Sequence, residues 1–197
     1  GRWPFRMGGG FHRRAWSNLS LILVQTESSV AVLSAEGLVA ETTGDPRFDR
    51  VLQAVDEHQS DVALERWIGN RPCLVAGSAW DPEHEAVRET WLPGRCAVVV
   101  PHEWTASSVA QECAKWEAVG ALPIVWSANR TEDSRAELPA GDVLIVDTIG
   151  ELLGLYAVAD VALVGGGFGA GVHNTLEPAA HGAFIAVGPR VSRFREI

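Results

Sequence analysis

At 197 residues the chain suffices for one sizeable domain, or for one domain and part of another. Its 47% hydrophobic and 21% charged residues are those of an ordinary globular protein. The net charge of −9 excludes broad attraction to nucleic acid, so a bound anion has to be held by local geometry.

In chain order, Trp3, Phe5, Met7, Phe11 and Trp16 cluster with Arg2, Arg6, Arg13 and Arg14. Such a basic-aromatic start fits either an anionic membrane surface or a core helix cut off from its partners. Leu19 to Gln25 reads as a strand, Thr26 to Glu36 as a helix closed by Gly37, and Leu38 to Thr42 as a short strand. A helix follows Gly44-Asp-Pro-Arg-Phe-Asp-Arg50 to about His58. The polar stretch Glu57 to Asp61 is a linker or a simple loop, and Asp61 to Gly69 is one more helix. No apolar run reaches the roughly 18 residues that a bilayer-spanning helix needs.

From Arg71 the rhythm is regular. Strand-like runs fall at Cys73–Ala76, Cys96–Val100, Leu122–Trp126, Val143–Val146, Val161–Val164 and Phe184–Val187, with helical patterns at Pro82–Trp91, Thr105–Val119 and Ile149–Ala157. Wholly apolar short runs alternating with amphipathic helices predict a Rossmann-like α/β fold, a parallel sheet flanked by helices on both faces. Cys73, Cys96 and Cys113 lack metal-ligand spacing. The first two sit in strand patterns as small buried hydrophobes, in keeping with a reducing setting.

Parallel sheets bind ligands beyond the carboxyl ends of their strands. After the successive runs come Gly77-Ser78, then Pro101-His102-Glu103, then Asp147-Thr-Ile149-Gly150-Glu151, then the glycine loop Gly165–Gly171, and then Gly188-Pro-Arg190. Gly77 would let backbone approach a ligand, and Ser78 offers a hydroxyl. Each residue also has a plain structural role. Ser78 or Thr148 could cap a helix, Asp147 a turn, and His102-Glu103 could be a surface turn. The convergence on one rim points to a site.

The glycine loop leads from a strand into a helix. Bare N–H groups and the positive end of a helix dipole there suit a phosphate. Pro178 lacks an N–H and fits only among the first three helical residues, which puts the N-cap at Thr175 or slightly later and not at Asn174. Asn174 and Glu177 have capping-box spacing, but with Asn174 as cap the first intrahelical bond would be lost. His173, Asn174 and Glu177 would then be free to face a ligand, Glu177 accepting from sugar hydroxyls.

The stretch Val164-Gly-Gly-Gly-Phe-Gly-Ala-Gly-Val-His-Asn-Thr-Leu-Glu-Pro-Ala-Ala180, preceded by Asp147-Thr-Ile-Gly-Glu-Leu-Leu153 and Tyr156-Ala-Val-Ala-Asp160, resembles the transferases of 3-deoxy-D-manno-octulosonic acid (Kdo). The likeness extends upstream through Gly44–Val51, Val75-Ala-Gly-Ser78 and Pro101-His-Glu103. It implies a GT-B-type glycosyltransferase that moves Kdo from CMP-Kdo to a lipid A precursor at the cytoplasmic face of the bacterial inner membrane, with peripheral membrane contact. This chain would be its second domain, truncated at both ends. Residues 1–40 would close the acceptor-side domain, and residues 41–197 would form an incomplete nucleotide-sugar domain. The family's catalytic glutamate belongs to the earlier domain, so no catalytic residue is expected here and the chain alone should not transfer sugar.

By the same resemblance, Ser78 and the Gly169, Gly171, His173 and Thr175 backbone would hold the phosphate, with Asn174 beside it. Glu177 would hold the ribose, and Ile149, Gly150 and Glu151 would face cytosine. His102 would lie near phosphate or the Kdo carboxylate, and Glu103 beside it also belongs to the donor-binding set. Many members carry arginine where this chain has Pro101, which leaves Arg190, Arg193 or protonated His102 as the positive charge. No cofactor or metal is expected, since donors and a cation can stabilise a CMP leaving group. Two alternatives stand: a uridine-nucleotide enzyme of the same architecture, and a non-catalytic nucleotide-binding remnant. An NAD-dehydrogenase reading fails on position, because its fingerprint belongs after a first strand with an acidic residue about 20 positions on.

Overall fold

The computed structural model describes residues 14–130, 137–169 and 171–191. The remaining residues of the basic-aromatic start and Arg193 lie outside these ranges. The chain forms two compact units, one up to Arg50 and one from Val51. Among the described residues no helix is long and apolar enough to cross a membrane.

In the first unit, β1 (Ile22–Val24) pairs in parallel with β2 (Ala40–Thr42), Leu23 opposite Glu41. Helix α1 (Glu27–Ala35) joins them. Thr26 caps it, its hydroxyl accepting from Ser29 N–H, and Gly37 turns the chain out at φ +72°. Both strands are shorter than their apolar runs suggest. Helix α2 (Pro46–Asp56) follows Asp45, whose carboxylate accepts from Arg47 N–H.

The second unit, which begins within α2, continues with α3 (Val62–Ile68), capped by Asp61, which accepts from the N–H groups of Ala63 and Leu64. Its sheet contains β3 (Cys73–Ala79), β4 (Cys96–Pro101), β5 (Pro123–Val125), β6 (Val143–Ile145), β7 (Val161–Val164) and β8 (Phe184–Val187). All are parallel, in the order β5-β6-β4-β3-β7-β8. The connections are α4 (Asp81–Thr90), α5 (Ala106–Ala118), the single turn α6 (Trp126–Asn129), α7 (Leu152–Tyr156) and α8 (Leu176–Ala180).

Alternation along the strands divides the core. Val75, Val98, Leu144 and Ala162 face one side with Leu64 and Trp67 of α3 and Leu155 and Tyr156 of α7. Ala76, Val99, Ile145 and Leu163 face the other with Val87 of α4 and Val109 and Trp116 of α5. Apart from the bulged end of β3 at Gly77 and Ser78, the strands are apolar because both faces are covered, as expected.

The rim elements depart from expectation in two places. The run Leu122–Trp126 stops at Val125, and Trp126 begins α6, whose Ser127 donates N–H and hydroxyl to the Asp147 carboxylate at 2.9 and 2.6 Å. Asp147 is thus a cap, though for another segment. Helix α7 begins at Leu152 and not at Ile149, because Gly150 adopts φ +95°. Thr148 does not cap it; its hydroxyl is buried without a partner.

Candidate functional site at the carboxyl rim

The rim is assembled by close backbone contacts. Strand β3 bulges between Ala76 and Ala79, where Ser78 takes φ +50°, a conformation that non-glycine residues rarely adopt. Ser78 carbonyl oxygen thereby lies against Gly165, where a Cβ would stand 1.9 Å from it. Gly77 serves a different purpose from the one expected. The space its side chain would fill holds the Tyr156 hydroxyl, 1.9 Å from an added Cβ, so a core side chain and not a ligand makes the approach. Burial pushes the Tyr156 phenol above its usual range, and the charge of Glu177 adds to the shift.

Glu83, unremarked in the sequence, fastens the two rim segments together. It stands in the first turn of α4, is 1% exposed, and accepts from Gly166 N–H at 2.9 Å and Trp80 N–H at 3.2 Å. An acid in a first helical turn is a common sequence signal. Its reach to Gly166 depends on β3 and β7 being neighbours, which no local pattern reveals.

His102 and His173 are brought together. Their rings stack at 4.6 Å, and Trp80 stacks on His102 at 4.3 Å, making a three-ring ladder. His102 N–H donates to Ala79 carbonyl at 2.8 Å, which ties the β4 exit to the β3 exit. Burial, then His102, lowers the His173 pKa, outweighing the opposing charge of Glu83, so His173 is neutral at neutral pH. Glu103 lies beside His102 on an open groove of about 600 Å³, lined also by Trp104, Thr105 and Ser108.

The entrance to α8 differs from expectation. Thr175 is the N-cap by position, as Pro178 requires, but its side chain makes no cap bond. Asn174 does that work, accepting from Leu176 N–H at 3.0 Å and donating to Glu177 Oε1 at 2.9 Å. Asn174 and Glu177 are therefore partners, and the second Glu177 oxygen is the one left for a ligand. The loop N–H groups are also largely spent. Gly169 and Gly171 donate to Gly166 carbonyl and His173 to Gly165 carbonyl, each at 3.0 Å. With α8 only five residues long, the backbone cradle expected over Gly169 to Thr175 is confined to a few donors such as Asn174 and Thr175 N–H.

Ile149, Gly150 and Glu151 form a turn, with Ile149 87% exposed, and no described hydrogen bond links them to the glycine loop. Glu151 lies instead on a separate cleft of about 370 Å³ with His58, Asp61, Trp126 and Arg130. There Arg130 lies over the Trp126 ring and pairs with Asp61 at 2.6 Å.

This rim can be set beside known proteins. No family model matches the chain. A 3-deoxy-D-manno-octulosonic acid transferase of Bordetella pertussis is 32% identical over 93% of this chain. The chain resembles the Kdo transferases over nearly its whole length. The Haemophilus influenzae Kdo transferase is 28% identical over 92% of it. The chain spans only 44% and 43% of the lengths of these two relatives. The C-terminal CMP-Kdo binding domain of WaaA from Acinetobacter baumannii superposes with a TM-score of 0.52 at 20% identity, covering 75% of each chain. That likeness shows a shared fold, a parallel sheet with helices on both faces.

Proposed function

We propose that the second unit binds CMP-Kdo and is the donor half of a glycosyltransferase that passes Kdo to a lipid A precursor. The observation that carries this reading is the 32% identity to a Kdo transferase over 93% of the chain. Its span includes every segment of the rim: the Ser78 bulge, the His102–His173 stack, the glycine loop and the Asn174–Glu177 pair. In this reading residues 1–40 close the acceptor-side domain and residues 41–197 form the nucleotide-sugar domain. The protein works at the cytoplasmic face of the inner membrane, with peripheral contact.

The roles follow from the chemistry on the rim. Asn174 and Thr175 N–H groups and the Ser78 turn flank the phosphate. Glu177 is oriented by Asn174, so its remaining oxygen accepts from the ribose. The exposed turn Ile149-Gly150-Glu151 offers backbone groups to cytosine. His102 and Glu103, on the groove, face the sugar end. The chain supplies binding and orientation, and the proton-accepting carboxylate comes from the acceptor-side domain.

A hybrid in which this chain replaces the corresponding half of the Bordetella pertussis relative is expected to transfer Kdo from CMP-Kdo to a lipid A precursor, read by mass spectrometry of the product. A folded hybrid that binds CMP and transfers nothing would contradict the transfer role and favour a nucleotide-binding remnant.

A further inference from the structure

A phosphate at this rim finds little charge in the backbone. Gly166 N–H is taken by Glu83, and Gly169, Gly171 and His173 N–H by loop carbonyls. Leu176 N–H goes to Asn174. Glu83 and Glu177 place carboxylates beneath and beside the loop, and His173 is neutral at neutral pH. An anionic phosphate there requires a side-chain cation.

The fold delivers one. Strand β8 runs beside β7, and where both end their backbones touch. A Cβ on Gly167 would lie 2.4 Å from Gly188 N, and one on Gly188 would lie 2.4 Å from Gly167 carbonyl carbon. This glycine-on-glycine contact lets the chain pass over the loop. Two residues later Arg190 N–H donates to Gly167 carbonyl at 2.9 Å, and Arg190 Nη1 donates to Gly169 carbonyl at 3.3 Å. The guanidinium stays exposed, and among the described residues no carboxylate lies within ion-pair distance of it. A guanidinium has five N–H donors in a planar fork, so one bond to Gly169 leaves a fork for a second partner.

We propose that Arg190, pinned across the glycine loop, is the phosphate-binding cation of this site. The assignment rests on the donor-site reading and goes beyond it by naming the group that neutralises the phosphate. The test compares CMP with cytidine, which lacks the phosphate, as titrants of the unaltered chain, Arg190→Gln and Arg190→Lys at two salt concentrations. Arg190→Gln is expected to weaken CMP binding about tenfold to a hundredfold, leave cytidine binding unchanged, and flatten the salt dependence. Arg190→Lys, keeping the charge and losing the fork, is expected to recover part of the loss. If CMP and cytidine affinities fall together, Arg190 only tethers Gly169, and the proposal is overturned. Unchanged CMP affinity in Arg190→Gln overturns it equally. Failure of the unaltered chain to bind CMP would overturn the donor-site reading, and this assignment with it.

Discussion

Gly165→Ala is expected to weaken nucleotide binding roughly a hundredfold and to destabilise the second unit by about 3 kcal/mol. The added Cβ would stand 1.9 Å from Ser78 carbonyl oxygen and 2.5 Å from its carbon, with Ala79 Cα at 2.9 Å. All three are backbone atoms, so no rotamer change relieves the clash. Ser78 is already at φ +50° and cannot readily turn further. The two strand exits must therefore part, straining the Gly165 N–H bond to Gly77 carbonyl and the Gly166 N–H bond to Glu83. Displacing the loop by an ångström is expected to cost roughly a hundredfold in CMP affinity. Gly94→Ala provides the control. Nothing lies within 4 Å of a Cβ there, but φ is +85°, so it should cost about 1 kcal/mol of stability and no affinity. Chemical denaturation and CMP titration of both variants check this. Undiminished CMP affinity in Gly165→Ala would show that the Ser78–Gly165 contact does not shape the site.

Arg88→Met is expected to cost about 3 kcal/mol, because buried Glu112 loses its hydrogen-bonded cation and keeps only His84 and, at 3.9 Å, the Lys115 ammonium. Glu112 on α5 is 5% exposed; its Oε1 accepts from Arg88 Nη1 and lies 3.2 Å from His84 Nδ1, at ion-pair distance without hydrogen-bond alignment. Burial pushes the Glu112 carboxyl up, but His84 and Arg88 together outweigh it, so the pKa is held below the usual carboxylate value. The sign follows: a group whose folded pKa is depressed contributes stability above its unfolded pKa of about 4.3, lost as pH falls through the folded value. Urea midpoints of the unaltered chain should therefore drop below about pH 4.3, and Arg88→Met should flatten that drop. Adding Glu112→Leu should restore most of the lost stability, since no buried charge is then left unpaired. If the double variant is as unstable as the single one, packing of the Arg88 stem, and not charge, is the cause. The cluster also touches the rim, for His84 Nε2 lies 3.2 Å from Ala79 carbonyl, the acceptor of His102 N–H.

What the sequence disclosed was the architecture. Wholly apolar runs such as Cys96–Val100 report burial on both faces, so six parallel strands could be inferred from local pattern. Pro178 limited the N-cap to Thr175 or slightly later, and it falls at Thr175, because a missing N–H is a local constraint. Contacts between distant segments were not legible. Glu83 meets Gly166 across 83 positions, Tyr156 fills the space at Gly77, and Trp80 stacks on His102, all consequences of strand order. The expected backbone cradle was overstated for the same reason: sequence identifies N–H groups on a glycine loop but not the carbonyls that already hold them. Pro101 pointed to a missing arginine, while the Gly167–Gly188 contact that brings Arg190 over the loop emerges only in three dimensions.

The central claim is that this rim holds a cytidine monophosphate. Calorimetric titration of the 197-residue chain with CMP, UMP and UDP in parallel tests it most directly. The predicted result is saturable binding of CMP, with UMP and UDP weaker by about tenfold or more, as expected when a base-reading turn loses a hydrogen-bond match. Preferential binding of UDP, or no binding of CMP by the folded chain, would contradict it.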